Sequence, residues 1–195
     1  VTVIISEKGW ARVRQGHALD LSGIAFKDGD RAGSTFECRS VDSLVILSTE
    51  GRAFTVAVAS LPDGRGMVAP LSSFVDFGTG KIAHVLTGQA EDELLFAKTS
   101  GYGFVGRFGD LLSRQKAGKT FLTVEDGASI LPPVRLVGAD HLAALSEDGR
   151  LLIFPLSQMK RLSAGKGIQI IALHDQERLR AVLPIRGTRV TIKGL

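Results

Sequence analysis

Short apolar runs recur along this chain, each leading into a Ser/Thr or charged pair, a glycine and a second apolar run. The pattern reads Val3-Ile4-Ile5-Ser6-Glu7-Lys8-Gly9-Trp10, then Leu44-Val45-Ile46-Leu47-Ser48-Thr49-Glu50-Gly51-Arg52. It returns as Leu94-Leu95-Phe96-Ala97-Lys98-Thr99-Ser100-Gly101-Tyr102 and as Leu142-Ala143-Ala144-Leu145-Ser146-Glu147-Asp148-Gly149-Arg150. The glycines stand 42, 50 and 48 residues apart. A repeat of this length built only from short strands predicts a propeller-like array, in which no unit buries its apolar face alone.

Within a unit the strands alternate as half-buried sheet should: Phe54, Val56 and Val58 share one face of Arg52–Val58. The turns use acidic-then-Gly pairs, Glu50-Gly51, Asp148-Gly149, Asp28-Gly29, Asp63-Gly64 and Asp126-Gly127, where glycine supplies the positive φ a tight turn needs. The chain contains no Asn, so Asp and Gly share that work. Further strands are predicted at Thr35–Cys38, Ile82–Leu86, Val134–Val137 and Ile168–Leu173, giving roughly four per unit, the size of a propeller blade. Gly109–Arg114 reads as a single helical turn, and Pro132-Pro133 as the start or edge of a strand. No 12-residue stretch combines a 3.6 period with caps. Arg189–Gly194 opens a fifth unit, with Gly194 45 residues after Gly149. The expected architecture is all-β: a single domain over residues 1–195, of about five four-stranded blades, the fifth incomplete.

Composition adds constraints. The chain of 195 residues is 44% hydrophobic and 23% charged, which is globular and not disordered. No apolar stretch approaches membrane-spanning length. A single cysteine, Cys38, excludes an intramolecular disulfide and fits a reducing compartment such as the bacterial cytosol. Opening on Val1 without an initiator Met suggests a piece of a longer or processed polypeptide. The net charge of +4 is uneven: residues 1–97 hold 9 Lys/Arg against 12 Asp/Glu, residues 98–195 hold 15 against 8. A basic half points to a polyanionic partner.

The residues of several segments carry a family resemblance: Lys8-Gly9-Trp10, Gly16-His17, Phe26-Lys27-Asp28-Gly29-Asp30, Ser100-Gly101-Tyr102-Gly103-Phe104-Val105, Ala117-Gly118-Lys119, Leu131-Pro132-Pro133-Val134 and Gly165-Lys166-Gly167. With these the chain resembles, over essentially its whole length, the C-terminal domain of the A subunit of bacterial type IIA topoisomerases, topoisomerase IV more than gyrase. The resemblance implies a β-pinwheel, propeller-like with strands exchanged between neighbouring blades, and an outer rim along which duplex DNA bends. It also implies a non-catalytic accessory role in an ATP-hydrolysing topoisomerase whose catalytic tyrosine lies in another domain. The implied partners are double-stranded DNA, the rest of the A subunit, plus the ATPase B subunit; the implied setting is the bacterial cytoplasm, at the nucleoid. Segment capture for decatenation and relaxation follows as the expected role. Gyrase carries a Gln-Arg-Arg-Gly-Gly-Lys-Gly box after its first hairpin; Arg14–Gly23 lacks it, which argues against chiral wrapping of DNA. A gyrase-type wrapping domain and a protein-docking propeller, hinted at by Glu91-Asp92-Glu93, are the alternatives. The fragment alone is expected to be monomeric.

The candidate DNA contacts are basic residues in or beside the loops that follow the hairpins: Arg12, Arg14, Arg52, Arg65, Arg107, Arg114, Lys116, Lys119, Arg150, Lys160, Arg161 and Lys166. Repeated at matched places, they would neutralise phosphates and release counterions. Gly118 and Gly165 are expected to bring backbone N–H groups close to phosphate. Nothing resembles a recognition helix, so base-specific reading is not expected. Ala117-Gly118-Lys119-Thr120 is not a nucleotide loop, because Ser113 stands where a glycine is required. Ser157-Gln158-Met159-Lys160 lacks the helix and partner motifs of a serine acyl-enzyme. Tyr102 and Trp10 occupy equivalent places after their turn glycines and read as packing aromatics. His17, His84, His141 and His174 show no paired spacing, so no metal and no cofactor are expected.

Overall fold

The computed structural model describes residues 1–63 and 67–189. The expected Gly64 turn and the fifth-unit strand and turn after Arg189 lie outside the described residues. In chain order the strands are β1 (Thr2–Ser6), β2 (Trp10–Arg14), β3 (Ala32–Glu37), β4 (Ser43–Ser48), β5 (Arg52–Ala57), β6 (Ala69–Pro70) and β7 (Ile82–Thr87). They continue as β8 (Glu93–Ala97), β9 (Tyr102–Arg107), β10 (Lys119–Thr120), β11 (Val134–Arg135), β12 (His141–Ser146), β13 (Leu151–Pro155), β14 (Ile168–Gln169) and β15 (Leu179–Ile185). Short 3-10 turns at Val58–Ser60, Leu71–Ser73, Phe108–Leu111 and Leu156–Gln158 are the only helical elements among the described residues. The turn predicted at Gly109–Arg114 therefore begins one residue earlier and ends three sooner.

Two compact units divide the chain: residues Val1–Ser48, Arg52–Gln89 and Leu111–Lys119, and residues Thr49–Gly51, Ala90–Asp110 and Thr120 onwards. The first unit contains the sheet β3-β1-β2-β6 and the sheet ordered β10-β5-β4-β7. Its core joins Val3, Ile5, Ala11 and Val13 to Leu44, Ile46, Phe54, Val56 and Val58. Phe54, Val56 and Val58 are buried together, as their alternation predicts. Each such side chain contributes about 1.5–3 kcal/mol by leaving water. The second unit contains the sheets β11-β8-β9-β14 and β13-β12-β15. There Phe96 meets Phe121 edge-on, with ring centroids 4.8 Å apart, and Phe104 lies 5.5 Å from Phe121.

The fourth strand of a sheet comes from the next repeat. β6 follows the second hairpin yet pairs with β2, at Trp10↔Pro70 and Ala11↔Ala69. β14 follows the fourth hairpin yet pairs with β9, at Gly103↔Ile168 and Tyr102↔Gln169. Two predicted strands are shorter than expected. Only Ile168–Gln169 of Ile168–Leu173 form ladder, after which Ile170 N–H donates to the turn carbonyl of Gly101 (2.7 Å). Only Val134–Arg135 of Val134–Val137 form ladder, before Leu136 N–H bonds Glu93 O.

The hairpin turns are built alike. Ser6, Ser48 and Ser146 are buried just before their turns, and each hydroxyl accepts the N–H of the residue four ahead, at 3.1–3.2 Å. Buried polar atoms require such partners. In the third hairpin Lys98 stands in that place, fully buried, with Nζ donating to Thr123 O (2.6 Å) and pairing with Glu125 (3.0 Å). Gly51 has φ +81°, and a Cβ there would fall 2.0 Å from the Leu122 carbonyl oxygen. Gly127 also has positive φ, +75°, but faces open space. Gly127→Ala is therefore expected to cost about 1 kcal/mol, the left-handed strain alone. Gly51→Ala should cost about 3 kcal/mol or more, because a carbonyl must also move. Urea unfolding midpoints of the two variants check the ordering, and equal losses would contradict the close approach at Leu122.

Candidate nucleic-acid interface

The segments after the 3-10 turns at Val58–Ser60, Phe108–Leu111 and Leu156–Gln158 are tied back to the preceding hairpin. Val13 N–H donates to Pro62 O, Ser113 N–H to Thr55 Oγ1 and Val105 N–H to Lys160 O, all at 2.8–2.9 Å. The exchanged strands β6, β10 and β14 begin six to eight residues later. Each intervening loop is therefore held at both ends, and these loops carry the predicted cations.

Arg114 and Lys116 are exposed in the loop before β10, and Lys119 is half-buried at its end. Lys160, Arg161 and Lys166 are exposed in the loop before β14. Arg65, in the corresponding loop before β6, lies outside the described residues. Arg107 is exposed at the end of β9, beside the Lys160–Arg161 segment that Val105 anchors.

Three of the four other predicted cations are engaged inside their units. Arg12 is buried, donates Nη2 to Ala25 O (2.5 Å) and stacks 5.5 Å from the Phe26 ring. Arg14 is half-buried, and its Nε has no hydrogen-bond partner among the described residues. Arg52 clamps the next loop through Ala117 O (2.6 Å) and Gly118 O (3.1 Å). Arg150 grips Ala172 O (2.8 Å), in the segment after β14, and also pairs with Glu177.

The glycines behave differently from the expectation. Gly118 N–H donates to Gln115 O and Gly165 N–H to Phe121 O, so neither is free for a phosphate. Gly118 is required by proximity instead: at φ +63°, a Cβ would lie 2.5 Å from Ala53 O.

Residues that the cation pattern did not single out complete the site. Lys27 Nζ sits 3.3 Å from the Trp10 ring centroid, and Lys166 Nζ 4.2 Å from that of Tyr102. The two packing aromatics thus each hold a lysine by cation–π attraction. Glu125 lies 3.5 Å from Lys166 as well as beside Lys98. Glu93 pairs with Arg161 at 2.8 Å, and its neighbour Asp92 pairs with Arg135. Among the described residues no three His, Cys, Asp or Glu side chains stand together as a metal site, and no helix is long and apolar enough to cross a membrane.

Comparison with known proteins gives this arrangement a family. The A subunit of DNA topoisomerase 4 from Neisseria gonorrhoeae is 38% identical over 187 residues, covering 91% of this chain and 24% of that protein. The Escherichia coli K12 protein of the same name is 36% identical over 182 residues, covering 92% of this chain and 24% of its own length. The solved C-terminal domain of E. coli ParC matches with a TM-score of 0.90 at 32% identity, over 95% of this chain and 79% of that one. The chain belongs to the ParC-type C-terminal domains of topoisomerase IV. It spans about a quarter of the length of the curated relatives it matches. The gyrase A C-terminal domain shares the fold at a TM-score of 0.65 and 18% identity, covering 94% of this chain and 64% of that one. No protein-family model matches the sequence. The topoisomerase IV C-terminal fold is the β-pinwheel, and the exchanged strands of this chain are its hallmark.

The Arg150–Glu177 clamp makes a pH prediction. Hydrogen bonds from Arg150 and then Ser146 hold the Glu177 carboxyl down at about 2, against its ordinary 4.5. A depressed carboxylate contributes stability above its unfolded value and loses it as pH falls through the folded one. Glu177→Gln should therefore lower the urea midpoint at neutral pH, with the gap to wild type closing between pH 4.5 and about 2. A gap independent of pH would show that shape, and not charge, is what the clamp needs.

Proposed function

We propose that this domain binds and bends duplex DNA without itself performing chemistry, gripping the sugar-phosphate backbone through the tethered cationic loops. The observation that carries the reading is the recurrence of exposed Lys/Arg in loops fastened at both ends, at Arg114 and Lys116 and again at Lys160, Arg161 and Lys166. Tethering matters because a cation on a positioned loop gives up less freedom on meeting a phosphate. The relatives supply the context: within topoisomerase IV, such a domain would hold a duplex segment for the catalytic core during decatenation and relaxation. The ATPase B subunit would then be a partner through the rest of the protein, and the bacterial nucleoid the working location. Recognition would follow charge and DNA deformability, since the displayed groups are loop cations suited to phosphate.

Gel-shift titration against duplexes of increasing length, at several salt concentrations, tests the reading. Binding should need a long duplex and weaken steeply with salt. Charge reversal at Arg114, Lys116 and Lys119 should weaken binding more than reversal at Arg31 and Arg39, which already pair with Glu7 (2.8 Å) and Asp42 (2.9 Å). Each lost phosphate contact should flatten the log–log salt slope by about 0.9. Absence of binding at low salt would favour a protein-docking role. Equal effects from the two sets would mean that the contact loops are elsewhere.

A further inference from the structure

The second unit has a concavity of about 200 Å³ flanked by Arg107 and Arg161, with Gly106 between them and Glu93 reaching in. We propose that this notch is a binding site for one DNA backbone phosphate, and that Glu93 is an internal stand-in for that phosphate, setting how tightly the domain holds DNA. The inference deepens the nucleic-acid reading and rests on it.

Three backbone placements converge on Glu93. It opens β8, and the β8–β9 register sets it directly opposite Arg107. The Lys160–Leu162 segment lies alongside Val105, held by Val105 N–H to Lys160 O and Leu162 N–H to Val105 O. That segment delivers Arg161, whose Nε bonds one carboxylate oxygen of Glu93 at 2.8 Å while Nη2 lies 3.4 Å from the other. The two-pronged geometry is the one a guanidinium uses for phosphate as well as for carboxylate. Gly106, next to Arg107 on β9, turns to the opposite face of the strand, where a Cβ would come within 3.2 Å of the Phe96 and Phe104 rings.

The electrostatics agree with the geometry. The Arg161 hydrogen bond holds the Glu93 carboxyl below the usual range; burial opposes this, and the charges of Arg161 and Arg107 add to it. Asp110 is the other carboxylate in the notch, and it accepts the Arg107 backbone N–H at 3.3 Å. The Arg161 and Glu93 side chains remain 54% and 35% exposed, so a duplex can reach the pair from solvent. An exposed ion pair is weak enough for a phosphate to displace. While Glu93 is there, each DNA encounter must first break that pair and then tolerate a nearby carboxylate. Lys166 and Glu125 repeat the arrangement at 3.5 Å, but Glu125 also neutralises the buried Lys98, so its removal would disturb folding. Among the described residues the ion pairs of Glu93 carry no such second duty.

The test is a fluorescence-anisotropy titration of a labelled duplex with the full chain and its variants. Glu93→Gln should bind about threefold more tightly than wild type at low salt. Glu147→Gln, an exposed turn residue with the same charge change, should gain clearly less. In an Arg161→Ala background the Glu93→Gln gain should fall to the Glu147→Gln level. Glu93→Asp, which keeps the charge but shortens the reach, should fall between wild type and Glu93→Gln and guards against a folding artefact. Equal gains from Glu93→Gln and Glu147→Gln, or a gain that persists without Arg161, would overturn the stand-in role while leaving DNA binding intact. Failure of wild type and every variant to bind at low salt would overturn both this inference and the nucleic-acid reading beneath it.

Discussion

Each of the first three hairpins of this chain completes its edge only when a two-residue strand from the following repeat lies down beside it. β2 takes β6, and β9 takes β14, from segments more than 50 residues downstream. The constraint is a hydrogen-bonding one: strand N–H and C=O groups that leave water must find partners. Much else follows from it. The chain must run from the 3-10 turn back to its own preceding hairpin, then into the exchanged strand, and the loop between has both ends fixed. Glycine is needed where that loop meets the older hairpin, as at Gly118 against Ala53 O. Such non-local pairing also predicts folding slower than a helical domain of this size.

The same geometry sorts the arginines into two populations. Arg52 and Arg150, each just after its turn glycine, become clamps: Arg52 on Ala117 O and Gly118 O of the loop before β10, Arg150 on Ala172 O beyond β14. A guanidinium suits this because its donors form a fixed planar fork that bridges neighbouring carbonyls. The place that Arg52 and Arg150 occupy is taken in the other two hairpins by Trp10 and Tyr102, which each face a lysine. Clamp and aromatic thus each hold a downstream segment against the hairpin, by different chemistry. The loop cations Arg114, Lys116 and Lys160 stay exposed.

This division marks what could and could not be read in advance. The hairpins, their turn glycines and the central apolar strands were legible because they rest on local periodicity and positive φ, which sequence displays directly. The exchange was available only through family resemblance, since β6 and β14 are too short to carry a pattern of their own. The loop cations at Arg114, Lys116 and Lys160–Lys166 were legible as a recurrence. The burial of Arg12 and the clamping by Arg52 and Arg150 were not, because a positive charge in a strand looks the same whether it faces solvent or a carbonyl. Lys98 is the sharpest case: fully buried among apolar neighbours, it is tolerated only because Thr123 O and Glu125 arrive from 25 and 27 residues away. The acidic run Glu91-Asp92-Glu93 read as a hint of a protein-docking surface, yet Asp92 and Glu93 lie against Arg135 and Arg161. The one available signal was register, since counting back from the Gly101 turn places Glu93 across from Arg107.

Carboxylates beside displayed cations give a polyanion binder a particular character. A surface of bare lysines and arginines would hold any nucleic acid tightly and release it slowly, because every contact gains from counterion release. Where a cation already has an intramolecular partner, only the difference between phosphate and carboxylate appears as affinity. That difference is small for any one pair, so useful binding must come from many weak contacts engaged together. A duplex long enough to touch several loops would be retained and a short one would not. Such graded attachment suits a domain proposed to hand a DNA segment onward, because the contacts can be given up one at a time.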